Sequence, residues 1–313
     1  VRLAEKYGYL PYMVERYLEI FGSLEETVEF LEACEHPLRR SIRCNTLKTE
    51  CSSLESRLRE KGFRLEPIPW APHGFWVTGS TVSLGATLEY LLGYYYIQGA
   101  ASMLPAYSLS PTADDLVVDM AAAPGGKTTQ LAQLMGNRGA ILAVEASRRR
   151  VKALRASLNR MGVTNTVVLR MDARMLAPLK NTFSKVLLDA PCTGEGLIPL
   201  DPSRKRSRTI GDLKKASSLQ VELLLTAIDI ASPGGVIVYS TCSIAPEENE
   251  YVVSRVLSMR SGVRVSEPGI SVGDPGLIEY RGLLFEEAKM CRRLYPHRHG
   301  TEGFFICRLV KEK

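Results

Sequence analysis

The sequence lacks any apolar run approaching the roughly 18 residues that a membrane-spanning helix needs. Its first ten residues, Val1 to Leu10, contain no signal-peptide apolar core. A soluble cytoplasmic protein with no membrane partner is expected. No two cysteines are spaced C-x-x-C, and neither His297 nor His299 has a thiol close by in the chain, so no metal site is expected. The seven cysteines are odd in number and irregularly spaced, which argues against a disulfide framework. Cys34, Cys44, Cys51, Cys291 and Cys307 are expected to be small buried or surface residues. No internal repeat or low-complexity tract is visible, so a solenoid is excluded.

What the chain does contain is length, a mild positive charge and a change of rhythm. Its 313 residues suffice for two domains. Lys and Arg number 40 against 34 Asp and Glu, a net +6, and the excess is clustered. Arg39, Arg40 and Arg43 form one group, Arg148 to Arg150 a second, and Arg204, Lys205, Arg206 and Arg208 a third. Such groups suit a polyanion, although each is also compatible with a solvated surface. Arg148 to Arg150 are expected to face water on a helix.

Residues 1–93 mix short helical and strand signals and read as a small α+β module. Glu25 to Ala33 and Ser52 to Lys61 look helical, the latter closed by Gly62. Ser41 to Asn45, Phe63 to Pro67 and Gly74 to Thr78 look like strands. Residues 94–313 alternate apolar strands with amphipathic helices. Leu116-Val117-Val118, Ala140 to Val144, Thr166 to Arg170, Lys185 to Leu188 and Val236 to Ser240 are the strands. Ser147 caps a helix whose Val151, Leu154, Leu158 and Met161 recur at helical spacing. This pattern predicts an α/β fold, a Rossmann-like doubly wound parallel sheet covered on both faces. Tyr94, Tyr95 and Tyr96 are read as a helix packed between domains, with stacking on bases as the alternative.

Ligands of such sheets lie outside the carboxyl ends of the strands. Those ends carry Asp119 to Lys127, Glu145, Asp172, Asp189 to Cys192 and Ser240 to Ser243. The turn Ala121-Ala122-Ala123-Pro124-Gly125-Gly126-Lys127-Thr128 admits two readings. One is a relaxed phosphate-binding loop of an ATPase, with Asp189 as the metal-holding acid. The other is a nucleoside-cofactor turn, where small residues let the backbone approach the ligand. Glu145 at the end of the next strand is placed to bind ribose hydroxyls, and a phosphate loop has no use for it or for Asp172. The second reading is preferred, with Ala121 to Lys127, Glu145, Asp172 and Asp189 as cofactor contacts.

The segments DMAAAPGGKT (119–128), DAPCTGEG (189–196), STCSIAPEENE (240–250) and RLYPHRHGTEGFF (293–305), with RCNTLK (43–48) and QGAAS (98–102), occur in the order found in one family. In them the chain resembles the Sun (NSUN-type) RNA cytosine-5 methyltransferases. Two departures stand out. Thr193 replaces the more usual Ser, and Gly99 stands where the family often has an acidic residue.

The resemblance implies S-adenosyl-L-methionine as cofactor and an RNA substrate, with Cys242 as the nucleophile that adds to carbon-6 of cytosine. Cys192 is implied to assist breakdown of that adduct. Spacing alone would favour Cys192, which follows a proline as the nucleophile of DNA cytosine methyltransferases does. Asp189 is suited to the exocyclic amine and N3 of the base, which requires it to be protonated or to share a proton. Lys127 is expected to lie near the catalytic pocket. Arg39, Arg40, Arg43 and Lys48 are expected to grip phosphates, with His297 lining the base pocket or shaping a turn. The chain ends soon after Phe305, so no further RNA-binding domain is expected. A monomer acting on transfer RNA is therefore preferred, with ribosomal RNA as the rival.

Overall fold

The computed structural model describes residues 2–80 and 82–312. A nine-stranded sheet organises the larger part. Five strands are parallel, in the spatial order Ala231–Thr241, Phe183–Asp189, Leu116–Asp119, Ala140–Val144 and Thr166–Leu169. Chain order runs outward from Leu116–Asp119 in one direction and then resumes on its other side with Phe183–Asp189. That reversal is the topological switch point at which ligands enter such sheets.

The strands are apolar on both sides because both faces are covered. Val118, Val186, Leu188, Ile237 and Tyr239 belong to one core, with Leu223, Leu224 and Ala227 of helix Ile210–Ile230 and Val252, Val253 and Val256 of helix Glu250–Met259. Their neighbours Val117, Leu187, Val236 and Val238 face the opposite core, with Leu131 and Ala132 of helix Gly126–Leu134. Alternation with period two on strands buried on both sides gives the unbroken apolar runs seen in the sequence.

The sheet is not wholly parallel. Phe304–Lys311 lies antiparallel to Ala231–Thr241, and Arg292–Leu294 and Val263–Ser266 share its far side. The expectation of a parallel sheet therefore holds for its centre and fails at its C-terminal margin. The connection from Ala231–Thr241 to Phe304–Lys311 carries helix Glu250–Met259 and then strands of only two to four residues, too short to leave a clear pattern in the sequence.

A second sheet of four antiparallel strands takes the order Arg64–Ile68, Ala71–Gly79, Arg40–Cys44 and Tyr95–Ile97. Helix Cys51–Glu60 places Leu54 and Leu58 against Ile42, Phe75 and Tyr95. Tyr95 and Tyr96 thus lie on a strand, not the helix expected. Their β-propensity wins where cross-strand partners Cys44 and Arg43 are available. Residues Arg2–Tyr7, Pro11–Phe21 and Leu24–Ala33 form helices that pack with Ile198, Ile244 and Tyr295 of the larger part.

Two disulfides correct the expectation for four cysteines. Cys44 and Cys51 bridge the end of a strand to the start of a helix, and Cys291 pairs with Cys307. The latter are opposite each other on antiparallel neighbours, in register with the adjacent pair Arg292 and Ile306. A cross-strand pair is set by register, which spacing along the chain does not reveal. Cys34, Cys192 and Cys242 are free.

Candidate active site

Loops at the carboxyl ends of the central strands build the site. The turn after Leu116–Asp119 reaches helix Gly126–Leu134 through Gly125, whose φ of 107° is left-handed. A Cβ there would also stand 2.9 Å from the Ser157 Cβ. Glycine alone fits both demands. Asp119 is buried, accepts from the Thr128 hydroxyl at 2.7 Å and from the Ala121 amide at 3.3 Å. Burial, with Asp189 nearby adding to it, pushes its carboxyl up to about 6.

Two cavities meet at Ala121. One, of about 200 Å³, is lined by Tyr96, Gln98, Ser102, Asp119, Lys127 and Asp189 among others. The other, of about 210 Å³, is lined by Glu145, Arg150, Asp172, Arg174, Leu219 and Leu223 among others. The structure thus brings Ala121 to Pro124, Gly126, Lys127 and Asp189 to one cavity, and Glu145 and Asp172 to the next. Gly125 shapes the turn from outside. An elongated ligand with a polar, amino-acid-like end and a nucleoside end matches this division. Carboxylates at the second cavity suit ribose hydroxyls, and its Met120, Met171 and Leu219 suit an aromatic base.

Both acids at the second cavity have arginine partners. Asp172 accepts from Arg174 through both oxygens, at 2.6 and 3.1 Å, and this contact lowers its pKa. Glu145 accepts from the Ser147 amide at 2.8 Å and lies 3.4 Å from the Arg150 guanidinium. Arg150 also donates to the Ala123 carbonyl. Arg148, Arg149 and Arg150 are all exposed on the helix, as expected for the run, and Arg150 makes these contacts as well. The helix turns it back over the cofactor turn.

The catalytic candidates converge. Cys192 and Cys242 follow neighbouring parallel strands, and their Sγ atoms lie 3.1 Å apart. The contact with Cys242, then burial, then the charges of Glu248 and Asp189 hold the Cys192 thiol well above its ordinary range. Lys127 donates to Asp189 at 2.7 Å and to the Ser102 hydroxyl at 2.9 Å. Burial would lower its pKa, but Asp189, with Cys242 and Asp119, raises it, so Lys127 is a cation. The Ser240 hydroxyl donates to the other Asp189 oxygen at 2.8 Å.

Several contributors were invisible as such in the sequence. Glu302, buried, accepts from the Ser102 amide at 3.0 Å and so braces the residue that receives Lys127. Burial raises its pKa. A Cβ at Gly99 would stand 2.1 Å from the Glu302 carboxylate, which explains the missing side chain at 99. Glu248 accepts from the Thr193 amide at 2.9 Å and from its hydroxyl at 2.6 Å. The hydroxyl retained at Thr193 therefore has a defined job. Gly196 approaches Gly303 so closely that a Cβ would stand 2.0 Å from its carbonyl oxygen.

The expected RNA contacts fare differently. Arg43 is fully buried and donates to Gln98, Gln133, Thr129 and the Gly126 carbonyl at 2.6 to 3.1 Å. Lys48 donates to the carbonyls of Leu92 and Arg160. Both tie the small sheet to the larger part, and burial removes Arg43 from the phosphate contact expected of it, whereas Lys48 is exposed. The reason is local. Each faces helix ends or buried amides whose acceptors need donors. His297 contacts Glu26 at 3.1 Å and packs against Phe21 and Phe30. Arg39 and Arg40 are exposed, Arg39 paired with Glu66.

No group of three or more potential metal ligands occurs among the described residues, and no helix among them is long and apolar enough to cross a membrane.

Residues 106–310 match the family profile described as 16S rRNA methyltransferase RsmB/F. Residues 10–100 match that of the N-terminal domain of 16S rRNA methyltransferase RsmF. The chain is 42% identical over 315 residues to a 28S rRNA (cytosine-C(5))-methyltransferase of Mus musculus, covering 99% of this chain and 40% of that protein. It is 40% identical over 309 residues to a ribosomal RNA small subunit methyltransferase F of Erwinia tasmaniensis, covering 96% and 63%. The chain thus spans less than two thirds of the length of these curated relatives. Among solved structures it is similar to a methyltransferase homolog protein from Pyrococcus horikoshii, with 41% identity, a TM-score of 0.89 and coverage of 98% and 97%. NSun6 from the same organism, solved with SFG, gives 29% identity, a TM-score of 0.86 and coverage of 97% and 98%.

Proposed function

The chain belongs to the 16S rRNA methyltransferase RsmB/F family, one of the S-adenosylmethionine-dependent kind, and from that premise we propose that it forms 5-methylcytosine in ribosomal RNA. The observation that carries the reading is the pair of free thiols 3.1 Å apart, Cys192 being next in the chain to Pro191 of the second cavity's lining. Transfer RNA, preferred from sequence on the compactness of the chain, gives way to ribosomal RNA. The curated relatives quoted are ribosomal RNA enzymes, and compactness has no force when the chain matches only part of them.

When bound, S-adenosylmethionine supplies an electrophilic methyl group. Asp119 would face its amino-acid end, and Glu145 and Asp172 would hold its ribose. Carbon-5 of cytosine is too weak a nucleophile unaided. The Cys242 thiolate adds to carbon-6, and the ring electrons displaced by the new sulfur–carbon bond make carbon-5 nucleophilic. Lys127 and Asp189 form the polar floor against which N3 and the exocyclic amine rest. A proton shared between these two groups meets the charge that develops on the ring. After transfer, carbon-5 loses its proton to a base, the carbon–sulfur bond breaks and its electron pair returns to Cys242. Cys192, in contact with that sulfur, assists this release. A target inside folded RNA has to be extruded to reach the thiols.

The test is transfer of labelled methyl from the cofactor to ribosomal and transfer RNA of the source organism, with modified positions mapped by bisulfite sequencing. Labelled 5-methylcytosine in ribosomal RNA is expected. Label confined to transfer RNA overturns the substrate choice, and no transfer to either overturns the activity. Cys242→Ala is expected to abolish both turnover and adduct, and Cys192→Ala to accumulate a protein–RNA adduct stable on denaturing gels.

A further inference from the structure

Two cysteines in contact are given different work, and the surroundings of the two sulfurs differ. Cys242 has the Lys127 ammonium within electrostatic reach. The Cys192 segment is held from the other side. Glu248, fully buried, accepts from the Thr193 amide at 2.9 Å, the Thr193 hydroxyl at 2.6 Å and the Gln220 amide at 3.0 Å. Gln220 in turn donates to the Pro191 carbonyl at 2.9 Å. Both neighbours of Cys192 are therefore clamped through one carboxylate. All three donors are neutral N–H or O–H groups, and both carboxylate oxygens are engaged as acceptors. Neighbouring Arg16 is engaged with Glu195 and Glu247.

We propose that Glu248 is a positioning residue that divides the labour of the two thiols: it fixes the Cys192 loop and keeps that sulfur a neutral donor to Cys242. The proposal rests on the roles given above to Cys242 and Cys192. A thiol that donates to the Cys242 sulfur stabilises it as it leaves carbon-6, which is the assistance release requires. The groups facing Cys192 are few. Cys242, Glu248 and Asp189 disfavour its thiolate, and the Tyr239 hydroxyl donates to the Glu248 carbonyl. Arg204 and Arg208 are spent on the Thr193 carbonyl, at 2.8 and 3.1 Å. Glu248 and Asp189 both disfavour the Cys192 thiolate, and of the two it is Glu248 that also holds the chain on either side of it.

The experiment follows iodoacetamide modification of Cys192 by mass spectrometry as a function of pH, in a Cys242→Ala background. Cys34 is buried and the other four cysteines are bridged. Adding Glu248→Gln should move the reactivity midpoint down, with faster labelling below the midpoint. With Cys242 present, Glu248→Gln should also prolong the protein–RNA adduct on ribosomal RNA, in the direction of Cys192→Ala. If Glu248→Gln does not fold, Thr193→Val, which removes one of the three donors, should give a smaller prolongation. An unchanged labelling profile with Glu248→Gln overturns the assignment. Absence of adduct in Cys192→Ala overturns the division of roles instead, and the labelling result still judges Glu248.

Discussion

Arg16 and Glu195 form a buried ion pair between an N-terminal helix and the loop that follows Cys192. Their side chains are each 3% exposed and 2.9 Å apart, and Tyr17 donates to the same carboxylate at 2.9 Å. Arg16 also lies 3.2 Å from Glu247. Arg16→Met keeps most of the aliphatic stem and removes the cation. Glu195 would then be a buried carboxylate held by one hydroxyl, with Glu247 and Glu248 nearby, a loss of about 3–5 kcal/mol. Glu195→Gln leaves Arg16 with Glu247, so about 1–2 kcal/mol is expected. The double variant should cost less than the sum by about 2 kcal/mol or more. The pH dependence has a definite sign. Burial raises the Glu195 pKa, although Arg16 and Tyr17 oppose the rise. An acid whose folded pKa is raised gives stability at low pH that is lost as pH rises through that pKa. Without Arg16 the folded value climbs further, so the cost of Arg16→Met should be full near pH 8 and shrink toward pH 5. Urea unfolding of the three variants at several pH values measures this. A cost below about 1 kcal/mol at pH 8, or one that grows as pH falls, would refute the reasoning.

Arg43→Met should destabilise by about 3 kcal/mol or more, because several buried acceptors lose their donor. The salt dependence of RNA binding should not change, and a flatter slope would return Arg43 to phosphate contact. The two disulfides close segments with sequence separations of 7 and 16, worth about 2 and about 3 kcal/mol by loop entropy. Calorimetry with and without reductant should show a lower Tm when reduced, and an unchanged Tm counts against these bridges. Asp119 is pushed up to about 6, so its carboxylate is lost as pH falls through that value. Cofactor affinity measured by calorimetry should drop about tenfold from pH 7.5 to 5, with Asp119→Asn flattening the profile. A flat wild-type profile removes Asp119 from the cofactor's amino group.

The central sheet was legible because buried parallel strands and amphipathic helices leave periodic traces. Val151, Leu154, Leu158 and Met161 face the core at the spacing read from sequence, between a Ser147 cap and a Gly162 terminus. The motif loops were legible because catalytic groups collect where those strands end. The antiparallel strand Phe304–Lys311 and the Cys291–Cys307 bridge were not, since pairing across a sheet is a matter of register. Nor were the duties of Arg43 and Lys48. A cationic cluster in sequence looks the same whether it faces phosphate or buried carbonyls. Only the fold says which acceptors lie opposite.

That distinction extends to the site itself. Motifs located Cys192, Cys242, Asp189 and Lys127, but the surroundings of Lys127, Asp189 and Cys192 are held by residues from other segments. Ser102 and Ser240 flank the Lys127–Asp189 pair, Glu302 braces Ser102, and Glu248 and Gln220 hold the chain on either side of Cys192. Arg16 and Tyr17 come from helix Pro11–Phe21, which packs on the larger part. Its reach to Glu195 makes the N-terminal segment part of the support of the Cys192 loop. Losing that segment should therefore disturb adduct release before it disturbs cofactor binding, because Glu145 and Asp172 follow Ala140–Val144 and Thr166–Leu169, on the other side of Leu116–Asp119 from the Cys192 loop.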